Sequence, residues 1–151
     1  MTDLQHSQLE ARDVILYDGV CALCNGVVRY LLRHDPAARF RFIPQQTPLA
    51  QQLLAAFPTP TQPEPEGVIL ITAALTPHQR LYRRSQAVQQ ALSLIPGPWP
   101  LLGRLARLIP HPLSELAYSL IARFRYQIFG RYSTCPIPTP AQRERILGLV
   151  D

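Results

Sequence analysis

The chain has 151 residues, 47% of them apolar, which is long enough for one domain around one substantial core. Its net charge is +5, and all fifteen basic residues are arginines spread along the chain, a solvated-surface pattern that argues against a nucleic-acid-binding stripe. The first thirteen residues carry acids and no apolar run and do not read as a signal peptide, and the uncharged stretch at residues 85–103 is too interrupted by glutamine and proline to span a bilayer.

A soluble, cytoplasmic protein is the expectation. Three cysteines in such a compartment point to redox chemistry or metal binding rather than to a disulfide framework.

Residues 1–11 read as a loose leader. The apolar run 13–17 is a first strand that stops at Asp18-Gly19. Val27, Val28, Leu31 and Leu32 then recur with helical period, predicting a helix over 22–34 that stops before Pro36. Residues 39–43, RFRFI, alternate arginine with apolar side chains as a strand with one face on the core, and Pro44 ends it. A short helix follows over 49–57, and the proline-rich segment 58–65 is an exposed loop.

The run 67–72 is a buried strand, 80–83 an edge strand, and 85–95 a helix capped by the Ser85 hydroxyl. This β-α-β-α-β-β-α order is that of a thioredoxin-like α/β core, placed at residues 12–95. Beyond Pro96-Gly97-Pro98, residues 99–109 and 112–129 read as two helices with broad apolar faces, and 140–149 as a last short helix. Residues 96–151 are therefore expected to be a helical extension packed on the same domain.

The chemistry gathers at Cys21 and Cys24, a C-x-x-C pair where the first helix begins. Residues three apart share a helical face, so their sulfurs can close a disulfide. A thiolate at a helix N-terminus meets unpaired amides and the positive end of the dipole. Cys21 is expected at the exposed end as the attacking thiol, with Cys24 one turn deeper as the resolving thiol. Asp18 lies three residues before Cys21 and either caps the turn or moves a proton; its charge opposes thiolate formation.

Other candidates are weaker. Cys135 is either a small buried tail residue or a third thiol that reaches the pair. Arg83, Arg84 and Ser85 flank a helix N-terminus and could bind an anion such as a carboxylate of a glutathione-like thiol. A zinc site lacks a second cysteine pair, and His34, His78 and His111 have no ligand spacing, so no metal is expected. His34 complements the dipole at its helix end. Trp99, Tyr118, Phe124, Tyr126 and Phe129 read as packing.

Together these residues resemble the DCC family of thiol-disulfide oxidoreductases, named for an aspartate and two cysteines, here Asp18, Cys21 and Cys24 in YDGVCALC. The blocks RFRFIP (39–44), LYRRSQAV (81–88), GPWPLLGRLARLIP (97–110) and RYQIFGR (125–131) resemble its recurring segments. The resemblance implies a thioredoxin-like fold and thiol-disulfide exchange by Cys21 and Cys24, with Asp18 as motif acid. Thioredoxins proper place a cis-proline before the strand facing the pair; here that approach reads Pro65-Glu66-Gly67-Val68, with the proline absent or displaced.

The reading is thus an enzyme exchanging a Cys21–Cys24 dithiol or disulfide with a protein or glutathione-like substrate. It needs no bound cofactor and draws electrons from a glutathione- or thioredoxin-type reductant. The alternatives are a non-catalytic binding module acting through its C-terminal helices, and a zinc-binding protein.

Overall fold

The computed structural model describes residues 1–58 and 67–149. Strand β1 (Asp13–Tyr17) leads through the C-x-x-C turn into helix α2 (Ala22–His34), then β2 (Phe40–Pro44), α3 (Pro48–Leu54), β3 (Ile69–Thr72), β4 (Arg80–Arg83) and α4 (Arg84–Leu94). Helix α1 (Asp3–Leu9) precedes this run, and α5 (Trp99–Arg107) and α6 (His111–Phe129) follow it. The sheet order is β2-β1-β3-β4, with β1 parallel to β2 and antiparallel to β3, and β4 antiparallel to β3. This is the thioredoxin-like arrangement the sequence implies.

The sheet is covered on both faces. Val14 and Leu16 of β1 join Leu9, Leu49 and Leu53 on one side. Ile15 and Tyr17 join Val28, Leu31, Phe40 and Phe42 on the other, because side chains alternate along a strand. Two cores explain why every residue of β1 is buried. They also correct the one-faced reading of β2: Phe40 and Phe42 enter one core and Ile43 the other.

Three expectations change. The leader is helix α1, started by a capping box in which Thr2 and Gln5 bond each other's backbone N–H, and its Leu9 is wholly buried. Pro44 ends β2 as expected, as its last residue and paired with Tyr17. The last helix reduces to a single 3-10 turn, Pro140–Gln142. Beyond it Phe42 donates to the Arg145 carbonyl (2.8 Å) and accepts from Leu147 N–H (2.9 Å).

That pairing covers the exposed edge of β2, and Arg145 fixes it by an ion pair with buried Asp35. Ser85 is not the cap of α4. Arg83 holds the N-cap position, while the Ser85 hydroxyl donates to Glu115 of α6. Most of the expected loop 58–65, with the Pro65-Glu66 step, lies outside the described residues.

Helix α5 packs on α4, and α6 packs on both α4 and α2. The sequence expects their apolar faces to lie on the core, and here the structure reverses it. Leu113, Leu116, Leu120, Ile121 and Ile128 of α6 are at least half exposed, and Arg125 is the buried residue of that helix.

Candidate active site

The cysteine turn is built by hydrogen bonds that no sequence periodicity reveals. Cys21 is the N-cap of α2, and its sulfur accepts the Cys24 backbone N–H at 3.3 Å. A sulfur there takes the place of the usual hydroxyl or carboxylate cap, satisfying one of the unpaired first-turn amides. The buried Asn25 side chain donates to the carbonyls of Gly19 (2.7 Å) and Cys21 (2.9 Å), holding the turn on both sides of the first cysteine. All three cysteines are thiols in this structure.

The exposure of the pair is the opposite of the sequence expectation. Cys21 is wholly buried and Cys24 is partly accessible. The cover over Cys21 is the chain leaving α6: Ala22 N–H donates to the Gly130 carbonyl (3.3 Å), and Tyr132 N–H to the Val20 carbonyl (2.8 Å). Arg131 thereby forms a one-residue antiparallel bridge with Cys21. The Cys24 thiol is pushed up to about 12 by burial, by its hydrogen bond to Cys21 and by the charge Cys21 would carry, with Arg125 opposing the rise. Cys24 thus keeps its proton beside Cys21, whose sulfur accepts the Cys24 amide.

Asp18 is 2% exposed and lies under the same turn. One carboxylate oxygen accepts from Gln46 Nε2 (2.8 Å) and Val20 N–H (3.1 Å); the other accepts from Arg125 (3.1 Å) and the Tyr126 hydroxyl. Burial alone would raise its pKa, but the bonds from Tyr126, Gln46, Val20 and Arg125 outweigh that and hold it below the ordinary carboxylate value. An acid so placed is a fixed anion near neutrality and a poor proton carrier. Its geometry is that of a cap and an anchor: Val20 N–H and Cys21 N–H both fold back onto Asp18, the latter at 3.3 Å to its carbonyl.

Cys135 lies beside the turn rather than in a remote tail. A methyl group on Gly19 would sit 2.6 Å from its sulfur, which explains the need for glycine there. Burial raises the Cys135 thiol pKa, with the Tyr17 hydroxyl acting against the rise and the Asp18 charge adding to it. At the other candidate group, Arg84 and Ser85 already meet an anion, the Glu115 carboxylate of α6, with Arg84 Nε at 2.8 Å. Arg84 also donates to the Ser119 hydroxyl and lies 5.0 Å from the Tyr118 ring centre. Arg83 pairs in the sheet with Ile69.

Four site residues escaped the sequence reading in this role: Asn25, Gln46, Arg125 and Tyr126. The first two are common polar residues near the motif, and nothing in their spacing marks them. Arg125 and Tyr126 stand in the RYQIFGR block, which was the one available signal, but Tyr126 reads as packing. Tyr118 is likewise a polar contact, accepting the Val68 N–H at 2.8 Å beside Gly67. That amide lies on the approach where thioredoxins carry their cis-proline, so α6 occupies this side of the site. His34 bonds the Tyr30 carbonyl at the end of α2 (2.8 Å), while His78 and His111 are exposed. Among the described residues no three His, Cys, Asp or Glu side chains converge as a metal set.

Comparison with known proteins points in one direction. The profile of a DCC1-like thiol-disulfide oxidoreductase family matches residues 15–131. The chain is 33% identical over 134 residues to the uncharacterized protein YuxK of Bacillus subtilis (strain 168), covering 89% of this chain and 93% of that protein. It is 30% identical over 128 residues to a chloroplastic DCC family protein of Arabidopsis thaliana, covering 85% of this chain and 71% of that one. No solved structure matches the chain.

Proposed function

This chain belongs to the DCC1-like thiol-disulfide oxidoreductase family, and we propose that it exchanges a Cys21–Cys24 dithiol for the disulfide of a protein or glutathione-like substrate. The observation that carries the reading is the position of the Cys21 sulfur, which caps the N-terminus of α2 and accepts the Cys24 backbone N–H one turn into the helix. The Cys21 thiolate attacks one sulfur of the substrate disulfide, forming a mixed disulfide and releasing the other substrate sulfur as a thiolate. Cys24 then loses its proton and attacks the Cys21 sulfur. The second substrate thiolate leaves, and the pair is now the disulfide. Two electrons have passed to the substrate, and a thiol reductant of the glutathione or thioredoxin type restores the dithiol.

The high pKa of Cys24 suits this order, since a resolving thiol that stays protonated does not compete for the first attack. Asp18 serves as the anchor that holds the turn to α6. Because Cys21 lies beneath residues 130–132, substrate reaches it when that segment lifts from the turn. A C-x-x-C dithiol that works as a reductant suits a reducing compartment such as the cytoplasm.

The test is a titration of purified protein in glutathione buffers, with the state of each cysteine mapped by mass spectrometry. A reversible Cys21–Cys24 disulfide with a potential on the order of −270 to −120 mV is the expected result. Cys24→Ser should accumulate a mixed disulfide on Cys21, and Cys21→Ser should form none. A pair that never closes, or a disulfide that always includes Cys135, overturns the proposal.

A further inference from the structure

Helix α6 is amphipathic with its polar side turned inward. Glu115 meets Arg84 and Ser85, Tyr118 meets Val68, and Arg125 and Tyr126 meet Asp18. The opposite side carries Leu113 (57% exposed), Leu116 (57%), Leu120 (50%), Ile121 (57%) and Ile128 (70%). At about 100° per residue these fall within one sector of the helix surface and so form one stripe.

Helix α5 repeats the arrangement. Its Gly103 lies against α4, where a methyl group would stand 3.2 Å from the Gln89 carbonyl oxygen, while Leu101, Leu105 and Leu108 are 60%, 51% and 78% exposed. Turning α6 to bury its stripe would strip the buried Asp18 carboxylate of Arg125 and Tyr126, so the outward face is a consequence of the fold's own polar contacts. An apolar surface of this extent on a small protein marks an interaction site.

Charge decides the occupant. Residues 96–131 contain five arginines and one acid. The acid, Glu115, is turned onto Arg84, and Arg125 is buried on Asp18. The charges left facing outward from this stretch are Arg104, Arg107, Arg123 and Arg131, all cationic. On the helical wheel Arg104 and Arg123 fall at the margins of the two stripes.

A second copy docking through the same face would bring these arginines toward one another. An anionic bilayer offers acyl chains to the stripe and phosphates to guanidinium groups that bind them in a bidentate fork. We propose that α5 and α6 seat the protein on the surface of an anionic membrane, lying in the interface. Among the described residues no helix is long and apolar enough to cross it. The proposal is independent of the thiol chemistry, although α6 runs directly into the segment that covers Cys21.

Flotation of the purified full-length protein tests it, using vesicles of phosphatidylcholine alone or mixed with phosphatidylglycerol. The wild type should float with the mixed vesicles and stay below with the neutral ones. Arg104→Gln and Arg123→Gln should each weaken binding about fivefold at low salt. Leu116→Glu with Leu120→Glu should abolish flotation while leaving the circular dichroism and denaturation midpoint unchanged, since both side chains are exposed. Failure to float with anionic vesicles overturns the proposal, as does equal flotation with neutral ones. A solution dimer dissociated by Leu120→Glu overturns it in favour of a second copy as the occupant.

Discussion

Strand β1 and helix α6 are both rich in apolar residues, and they bury opposite things. All five residues of β1 are inside, and even its Asp13 is satisfied by Arg39 and the Ala73 N–H. Of the nineteen residues of α6 the buried one is an arginine. Apolar content measures how strongly a segment gains by leaving water. It does not choose the face that the fold uses when a buried carboxylate elsewhere needs a partner. At β1 the hydrophobic effect sets the orientation; at α6 hydrogen bonds and ion pairs do.

If that contrast holds, substitutions in the two regions should rank by different rules. The largest loss belongs to the sheet. Phe42→Ala empties a fully buried site in the core that the sheet shares with α2 and should cost about 3–5 kcal/mol, read from denaturant midpoints. Next comes the polar anchor. Asp18→Ala leaves Arg125 without its buried partner and should cost about 3 kcal/mol, although no apolar contact is lost. A loss under 1 kcal/mol would break the claim that polar contacts hold α6.

Acid sharpens the same point. The Asp18 pKa is lower in the folded chain than the ordinary value, so its contribution is complete above about pH 4 and fades as pH falls through the folded value. Glu115 shifts in the same direction, where burial is outweighed by Ser85 and Arg84. The stability gap between wild type and Asp18→Ala should therefore narrow below about pH 4, and a constant gap down to strong acid contradicts the assignment.

Gly19→Ala should cost roughly 2 kcal/mol by overpacking against Cys135, Pro44 and Gln46, and Cys135→Ala in the same chain should recover part of it. The smallest effect belongs to the outward stripe. Leu120→Ala should change stability by about 0.5 kcal/mol or less, against about 2–5 kcal/mol for the same truncation in a core.

Much of this architecture was readable along the chain. The bounds of β1, α2 and β4 follow from apolar period, the turn at Asp18-Gly19 and the stop at Pro36, and all of those signals act within a few residues. The capping box of α1 was readable too, in Thr2 and Gln5, yet an acidic and polar leader masks it. The cysteine pair at the start of a helix is likewise local, because capping geometry and spacing belong to one turn of backbone.

What lay beyond local rules was the company the pair keeps. Arg125 is 107 residues from Asp18 in sequence, and the segment covering Cys21 follows it. No periodicity links such positions; only the packing of α6 across α2 and α4 brings them together. The same packing turned Tyr118 and Tyr126 from core residues into hydrogen-bond partners and sent the leucines outward. Secondary structure follows from neighbours along the backbone, whereas the burial of a thiol or the facing of a helix depends on which distant charge must be neutralised.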